Sequence, residues 1–350
     1  MEIIYTKDPA WLDKWDDFVR TNDIGSHLML SDWVSSYRSY GFDAEYCLCL
    51  ENGNITGGFA AIIAKVAFFK FYIVPYGPIA SGETSGLLDK LIGFVPQRAK
   101  HFGAAYAHVA LPIGNRGNVH FIQKEMSVQA AEGHQFPYVY SSNGLNWIDL
   151  KNTTEEMLLE RFKSSTRRDL RAAMRKEMDV VFLETEAQVK AGYDLCLVNA
   201  ASNGYALRDW ASFKPTLLSL IGKGAAKFIG VSKENDLKGA ILLVKAGNFY
   251  TYILGGTKKE KPDLLPGHLL QWEAIRLSLR EGLDGYNISL GGSKGVMDFK
   301  DSFGTAHLLY EQSRYHWVLR PMLFKSYRFF EKRMKPYKKT IARWLSKLKR

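Results

Sequence analysis

The feature that most constrains this chain is a succession of elements that occurs twice. In the first half, helical patterns at Pro9–Thr21 and Leu30–Tyr40 precede a strand at Ala44–Leu50. An Asn-Gly turn at Glu51–Asn54 leads to strands at Ile55–Ala64 and Phe68–Val74, then a helix at Glu83–Phe102 and a strand at Ala105–Leu111. Asn-Gly between apolar runs is a strong local signal for a hairpin. In the second half, helices at Ala187–Ala201 and Trp210–Ile221 precede a strand at Ala226–Ser232, and Lys233–Lys238 forms the polar turn. Strands at Gly239–Lys245 and Phe249–Leu254, a helix at Leu264–Glu281 and a strand at Gly285–Ser289 close the unit. A chain of 350 residues also exceeds what one ordinary core organises. The expected class is therefore mixed α/β: two tandem units, 1–150 and 151–319, each a largely antiparallel sheet flanked by helices, followed by a tail at 320–350.

The tail holds the charge. Formal net charge is +11, and the stretch from Arg320 to Arg350 contains twelve Lys/Arg against the single acid Glu331. The rest of the chain carries 35 basic and 35 acidic groups and is neutral, unlike a protein that wraps nucleic acid over its whole surface. Within the tail, Leu323, Tyr327, Phe330, Met334, Tyr337, Ile341, Trp344 and Leu348 alternate steps of four and three, an apolar stripe on a cationic helix that Pro336 should kink. Such a stripe either docks on the protein body or lies in the plane of an anionic membrane, where Lys338, Lys339, Arg343, Trp344 and Lys347 would make contact. Docking suits the first half, to about Met334; beyond Pro336 both readings stand.

No stretch reads as a membrane span, since the most apolar run, Gly58–Val74, is broken by Lys65 and Lys70 and is short of ~20 residues. The N-terminal MEIIYTKDPAWLDKWDD has neither the basic nor the apolar region of a secretory signal. Cys47, Cys49 and Cys196 sit in apolar runs and read as buried thiols, which favours a reducing, cytoplasmic compartment.

Several chemistries lack their residues. There is no HExxH or CxxC, the eight histidines are scattered, and no GxSxG elbow or GxxxxGK[ST] phosphate loop occurs. The glycines of Gly291-Gly-Ser-Lys-Gly295 lack dinucleotide-fold spacing. The expectation is no metal, no cofactor and no covalent nucleophile, hence direct transfer between two bound substrates by positioning and carbonyl polarisation. Between the units, one helix is expected from Thr153/Thr154 to Glu177, with Arg168, Arg171 and Arg175 on one face, as a grip for donor phosphates or simply a solvated face.

The C-terminal third is the most specific. Gly267-His-Leu-Leu-Gln-Trp-Glu-Ala-Ile275, Arg280–Ile288, Leu290-Gly-Gly292 and Asp298-Phe-Lys-Asp-Ser-Phe-Gly304 together resemble the Fem family (FemAB-like). These are peptidoglycan interpeptide-bridge aminoacyltransferases related to the GNAT-like acyltransferases. Ser164–Ala173, the Tyr76-Gly-Pro-Ile79 turn and Trp33 fit the same pattern, and the likeness extends over about residues 1–319. It implies two GNAT-like domains and transfer of an aminoacyl group from a charged tRNA to an amine of a peptidoglycan precursor. It implies Lys300 near the reacting carbonyl, with Arg208 and Tyr252 (Tyr250 beside it) holding the precursor and Phe299 and Phe303 flanking the lysine. The chain departs from the family in lacking a basic residue shortly after Trp33, where Arg38 stands nearby, and in Asn287 where an acidic residue usually precedes the double glycine.

The resulting expectation is an acyltransferase in which Arg208, Tyr252 and Lys300 converge on one groove. It works on an envelope precursor at the cytoplasmic face of the membrane, with aminoacyl-tRNA as the favoured co-substrate. One alternative is an acyl-CoA-dependent N-acyltransferase of an envelope glycan or amino sugar, although the chain has no [QR]xxGx[GA] run for the CoA pyrophosphate. Another is a non-catalytic, membrane-associated binding module of the same fold. Asp298 and Glu273 are available as general bases, beside substrate-assisted proton transfer.

Overall fold

In the computed structural model, which describes residues 1–66, 69–82, 85–112, 128–129, 136, 138–142, 144–310 and 313–334, the repeated order becomes two sheets. The first half contributes β1 (Glu2–Thr6), α1 (Pro9–Thr21), α2 (Ser31–Ser35) running into a 3₁₀ turn to Tyr40, β2 (Asp43–Glu51), β3 (Asn54–Val66), β4 (Phe69–Val74), β5 (Ile79–Ala80), α3 (Ser85–His101), β6 (Tyr106–Ala110) and β7 (Val128–Gln129). Then come β8 (Gly144–Asp149), α4 (Glu155–Arg161), α5 (Ser164–Met174), β9 (Asp179–Phe182), α6 (Glu186–Ser202), α7 (Trp210–Gly222), β10 (Ala226–Lys233), β11 (Asp236–Ala246) and β12 (Phe249–Thr257). The chain continues through α8 (Pro266–Arg280), β13 (Gly285–Asn287), α9 (Lys294–Asp301), β14 (Ala306–Leu309), β15 (Arg314–Val318) and α10 (Pro321–Met334).

The first sheet has the order β1-β2-β3-β4-β6-β15-β7, with β5 on β3; the second has β9-β10-β11-β12-β13-β8-β14. Position by position the two match, down to the single parallel pair of each, β4/β6 and β12/β13. One correction to the expected units follows. Strand β8, which falls within the expected first unit, 1–150, pairs with β13 in the second sheet, and β15, which falls within 151–319, pairs with β6 in the first. Each half lends the other its sixth strand, because β6 and β13 both leave an open edge that only a strand from elsewhere in the chain can satisfy.

Local chemistry sets the helices. Asp8 accepts from the Ala10 amide with Pro9 opening α1, Thr185 and Gln188 form a reciprocal capping box on α6, and Asp209 caps α7. The single helix expected from Thr153 is two. Phe162 and Lys163 turn extended because the Phe162 ring is buried edge-on against Trp272 and Phe303, at 5.7 and 5.2 Å, and the Lys163 amide bonds the Ser302 carbonyl.

Helix α3 covers one face of the first sheet through Leu91, Ile92 and Val95, and α8 covers one face of the second through Leu270, Trp272 and Ile275. The opposite faces share one core running from Trp15 and Leu30 to Phe213, Leu217 and Leu242, so the two halves are packed together rather than linked by a tether. At its rim Lys223 bonds Asp32 at 2.9 Å and Ser219 donates to the same carboxylate. Cys47, Cys49 and Cys196 are buried free thiols. Among the described residues no helix is long and apolar enough to cross a membrane.

The first part of the tail docks. In α10, Phe324 stacks on Tyr106 and Tyr327 meets Phe69 and Phe71 edge-on. Lys338, Lys339, Arg343, Trp344 and Lys347 lie outside the described residues.

Candidate functional site

Strands β12 and β13 run side by side only from Phe249–Thr251 to Gly285–Asn287, whereas β12 continues against β11 to Thr257. A register shift at Leu242/Leu243 leaves Ile253 as an extra residue and bends β12 at that point. Beyond Asn287 the backbone turns away through Ser289, a non-glycine residue at φ +67°, then Gly291 at +96° and Gly292 at +124°, the last two being values that glycine adopts without strain. The parting strands enclose a cavity of about 760 Å³. Its walls come from β12, the N-terminal turn of α8, the Ser289–Ser293 turn, one face of α9, and the end of α6 with the Asn203–Leu207 segment that follows it.

Lys300 closes this cavity from α9 and is 6% exposed. Its ammonium donates to the Ser289 carbonyl at 2.9 Å and the Gly291 carbonyl at 3.0 Å, and lies 5.5 Å from the centre of the Tyr252 ring. Burial pushes its pKa down to about 8, against the smaller opposing pull of the Asp301 carboxylate. The Ser289 hydroxyl donates to the Tyr252 carbonyl, tying the turn to β12. Behind Lys300, Asp301 accepts from Asn146 on β8 at 3.0 Å and pairs with His307 at 2.9 Å, and Asn287 accepts from the Asn146 and Ser289 amides at 3.0 Å each. The lysine therefore sits on a braced helix end, with one N–H left for a ligand.

The expected residues divide. Lys300, Tyr252 and Phe299 line the cavity together. Phe303 is fully buried against Phe162 and Phe299 and supports the wall from behind. Tyr250 sits one pleat back under the far end of α8, its hydroxyl donating to Glu281 at 3.0 Å. Arg208 does not join the group. Its guanidinium packs over Tyr37, Tyr40 and Phe213 at 4.8, 5.2 and 5.2 Å, because the 203–209 segment leads from α6 back to the first half, and its Nη1 is buried without a hydrogen-bond partner. Arg38 is exposed. Asp298 is exposed and paired to Lys294 at 2.6 Å, and Glu273 is paired to Arg276 at 3.0 Å, so both candidate bases are engaged outside the cavity.

Trp33 marks a second cavity of about 260 Å³ between the halves, where Tyr76, Tyr140 and Asn287 also lie. Its indole Nε1 and the Nδ1 of neighbouring His27 are buried with no hydrogen-bond partner. The two cavities meet at Tyr252, Ile253, Ser289 and Leu290, which line both.

Sequence reasoning passed over His268. It lines the larger cavity from the first turn of α8, edge-on to Phe299 at 5.1 Å, and burial holds its imidazole below the usual histidine range despite Asp169 3.9 Å away. Its signal was positional: a titratable side chain directly after Pro266-Gly267, where helix α8 opens onto the parted strands. On α5, Arg168, Arg171 and Arg175 are exposed on the helix that carries Asp169, and Arg168 pairs with that Asp at 3.0 Å. Among the described residues no cluster of His, Cys, Asp or Glu is arranged to hold a metal ion.

Residues 161–301 match the family model of the acetyltransferase (GNAT) domain. The crystal structure of FemX is similar over 93% of this chain and 99% of its own, with a TM-score of 0.75 at 16% identity. A protein of unknown function from Bacteroides thetaiotaomicron VPI-5482 is similar over 91% of this chain and 100% of its own, with a TM-score of 0.58 at 10% identity. The C-terminal domain of a putative lysylphosphatidylglycerol synthetase from Agrobacterium fabrum is similar over 87% and 90%, with a TM-score of 0.53 at 12% identity. No curated protein sequence matches the chain. At these identities the likeness is one of fold: two GNAT-like units in tandem, the second also matched by sequence.

Proposed function

We propose that this protein transfers an acyl group, foremost an aminoacyl group delivered on tRNA, to an amine of a peptidoglycan or other cell-envelope precursor in the cytoplasm. The observation that carries the reading is the buried Lys300 ammonium in the larger cavity, bonded to the Gly291 carbonyl and to the carbonyl of Ser289, a residue that lines both cavities, within a domain that matches the acetyltransferase model. The larger cavity takes the activated acyl end of the donor. The cavity between the halves takes the acceptor, whose polar groups would meet the unpartnered Trp33 Nε1.

The chemistry then needs no covalent relay. The acceptor amine attacks the acyl carbonyl, the new C–N bond forms, and the C–O bond to the tRNA ribose breaks. The free N–H of Lys300 stabilises the developing oxyanion. His268, kept neutral by burial, takes the amine proton and hands it to the ribose oxygen as that oxygen leaves. The exposed arginines of α5, of which Arg168 pairs with the Asp169 that faces His268, would meet the donor phosphates.

Acyl-CoA is the second donor reading, favoured by the acetyltransferase-domain match. Supplying purified protein with charged tRNA or acyl-CoA and an amine-bearing envelope precursor separates the two. Product formation with charged tRNA that Lys300→Met lowers by about 10²–10³-fold is the expected result; no product with either donor would leave the binding-module reading.

A further inference from the structure

Helix α10 presents two faces of opposite character. Phe324 stacks on Tyr106 with ring centres 4.5 Å apart, and Tyr327, 4% exposed, meets Phe69 and Phe71 at 5.1 and 4.7 Å. These contacts fix the helix to the first sheet. The outward face carries Met322, Phe329 and Phe330, which are 85%, 62% and 45% exposed. Met322, Ser326, Phe329 and Arg333 follow one another at helical steps of four, three and four, so they form one stripe. Exposed Lys325 and Lys332 border it, and the Arg333 guanidinium at its end lies 5.0 Å from the Phe329 ring. The sequence beyond, 335–350, adds seven Lys/Arg, no acid, and Tyr337, Ile341, Trp344 and Leu348.

We propose that this face seats the protein on an anionic lipid surface, with Met322, Phe329 and Phe330 entering the headgroup layer and the cations meeting lipid phosphates. Two demands select the occupant. Large apolar side chains in water need an apolar medium, and the cations around them need anions. An RNA backbone meets only the second demand. A second copy of the same face brings like charge against like. The interface of an anionic bilayer meets both. Because α10 is held to the body by packed rings, attachment through it sets how the whole molecule sits on the bilayer, which a loose tail would not do. The inference does not depend on the proposed reaction.

The test is sedimentation of the full chain with phosphatidylcholine vesicles, with and without phosphatidylglycerol. Binding is expected to be about tenfold stronger on the anionic vesicles and to weaken with salt. Phe329→Ser/Phe330→Ser should lower it about tenfold with an unchanged thermal midpoint. Lys332→Glu/Arg333→Glu, at exposed positions that leave the docked rings alone, should do the same. Equal binding to neutral and anionic vesicles, or undiminished binding by both variants, overturns the proposal. So does a mass in solution twice that of the chain that the face variants return to monomer, or tRNA binding that these variants abolish while vesicle binding persists.

Discussion

The ammonium of Lys300 lies 5.5 Å from the centre of the Tyr252 ring while both side chains line the same cavity, one from α9 and one from β12. They are 48 residues apart in sequence, and the turn at Ser289–Gly291 joins them: Ser289 donates to the Tyr252 carbonyl and accepts from Lys300. Moving either partner therefore moves the other's support.

Replacing Lys300 by Met should lower kcat by about 10²–10³-fold with little change in KM, since the free N–H acts on charge that develops only in the transition state. Steady-state kinetics with the donor identified above measures it. An equal fall in kcat and rise in KM would assign the lysine to substrate binding instead.

The same lysine gives a pH signature. Its folded pKa of about 8 lies below its ordinary 10.5, so between these values the unfolded chain binds more protons. The penalty for burying the charge is present in full below pH 8 and is relieved as pH rises to 10.5. From pH 7 to above 10.5, the stability of wild type relative to Lys300→Met should shift in favour of wild type by on the order of 3 kcal/mol. Urea unfolding of both proteins at the two ends of that range reads the shift. In activity, the need for the ammonium predicts a falling limb centred near pH 8.

His268→Gln should reduce turnover by about 10²-fold and remove the rising limb of the pH–rate profile, because the side chain that must be neutral to accept the amine proton is gone. An unaltered acid limb would point to proton transfer assisted by the substrate itself.

Arg208 joins the halves rather than the larger cavity. Arg208→Ala should cost about 1–2 kcal/mol of stability, and the loss should not add to that of Tyr37→Leu, because the two side chains form one stacked pair. A double-mutant cycle by chemical denaturation checks this.

Gly285 on β13 packs directly against the Trp147 ring. A Cβ there would stand 1.9 Å from the Trp147 ring, so Gly285→Ala should destabilise by about 1–3 kcal/mol, and pairing it with Trp147→Leu should recover part of the loss.

Much of this was written locally. The helices and strands of the repeated order fall within a few residues of their periodic patterns, because amphipathic spacing and turn residues act over short range, whereas β1, β8, β9, β14 and β15 lie outside that order and were not expected. The Lys300–Tyr252–Phe299 group was reachable because α9 carries two of the three in one short motif. Strand partners were not reachable. Nothing in Gly144–Asp149 or Arg314–Val318 says which sheet receives it, since that choice is made by open edges more than a hundred residues away. The aromatic seat of Arg208 was hidden for the same reason: Tyr37 and Tyr40 lie in the other half.

That exchange of strands has a consequence in time. During synthesis β6 emerges with β4 on one side and nothing on the other, and its partner β15 follows about 200 residues later. At about 5–20 residues per second the first sheet waits roughly 10–40 s for closure. Throughout that interval its apolar edge lies open to other nascent chains, so the yield of native protein should depend on what shields that edge on the ribosome more than on the final stability of the fold.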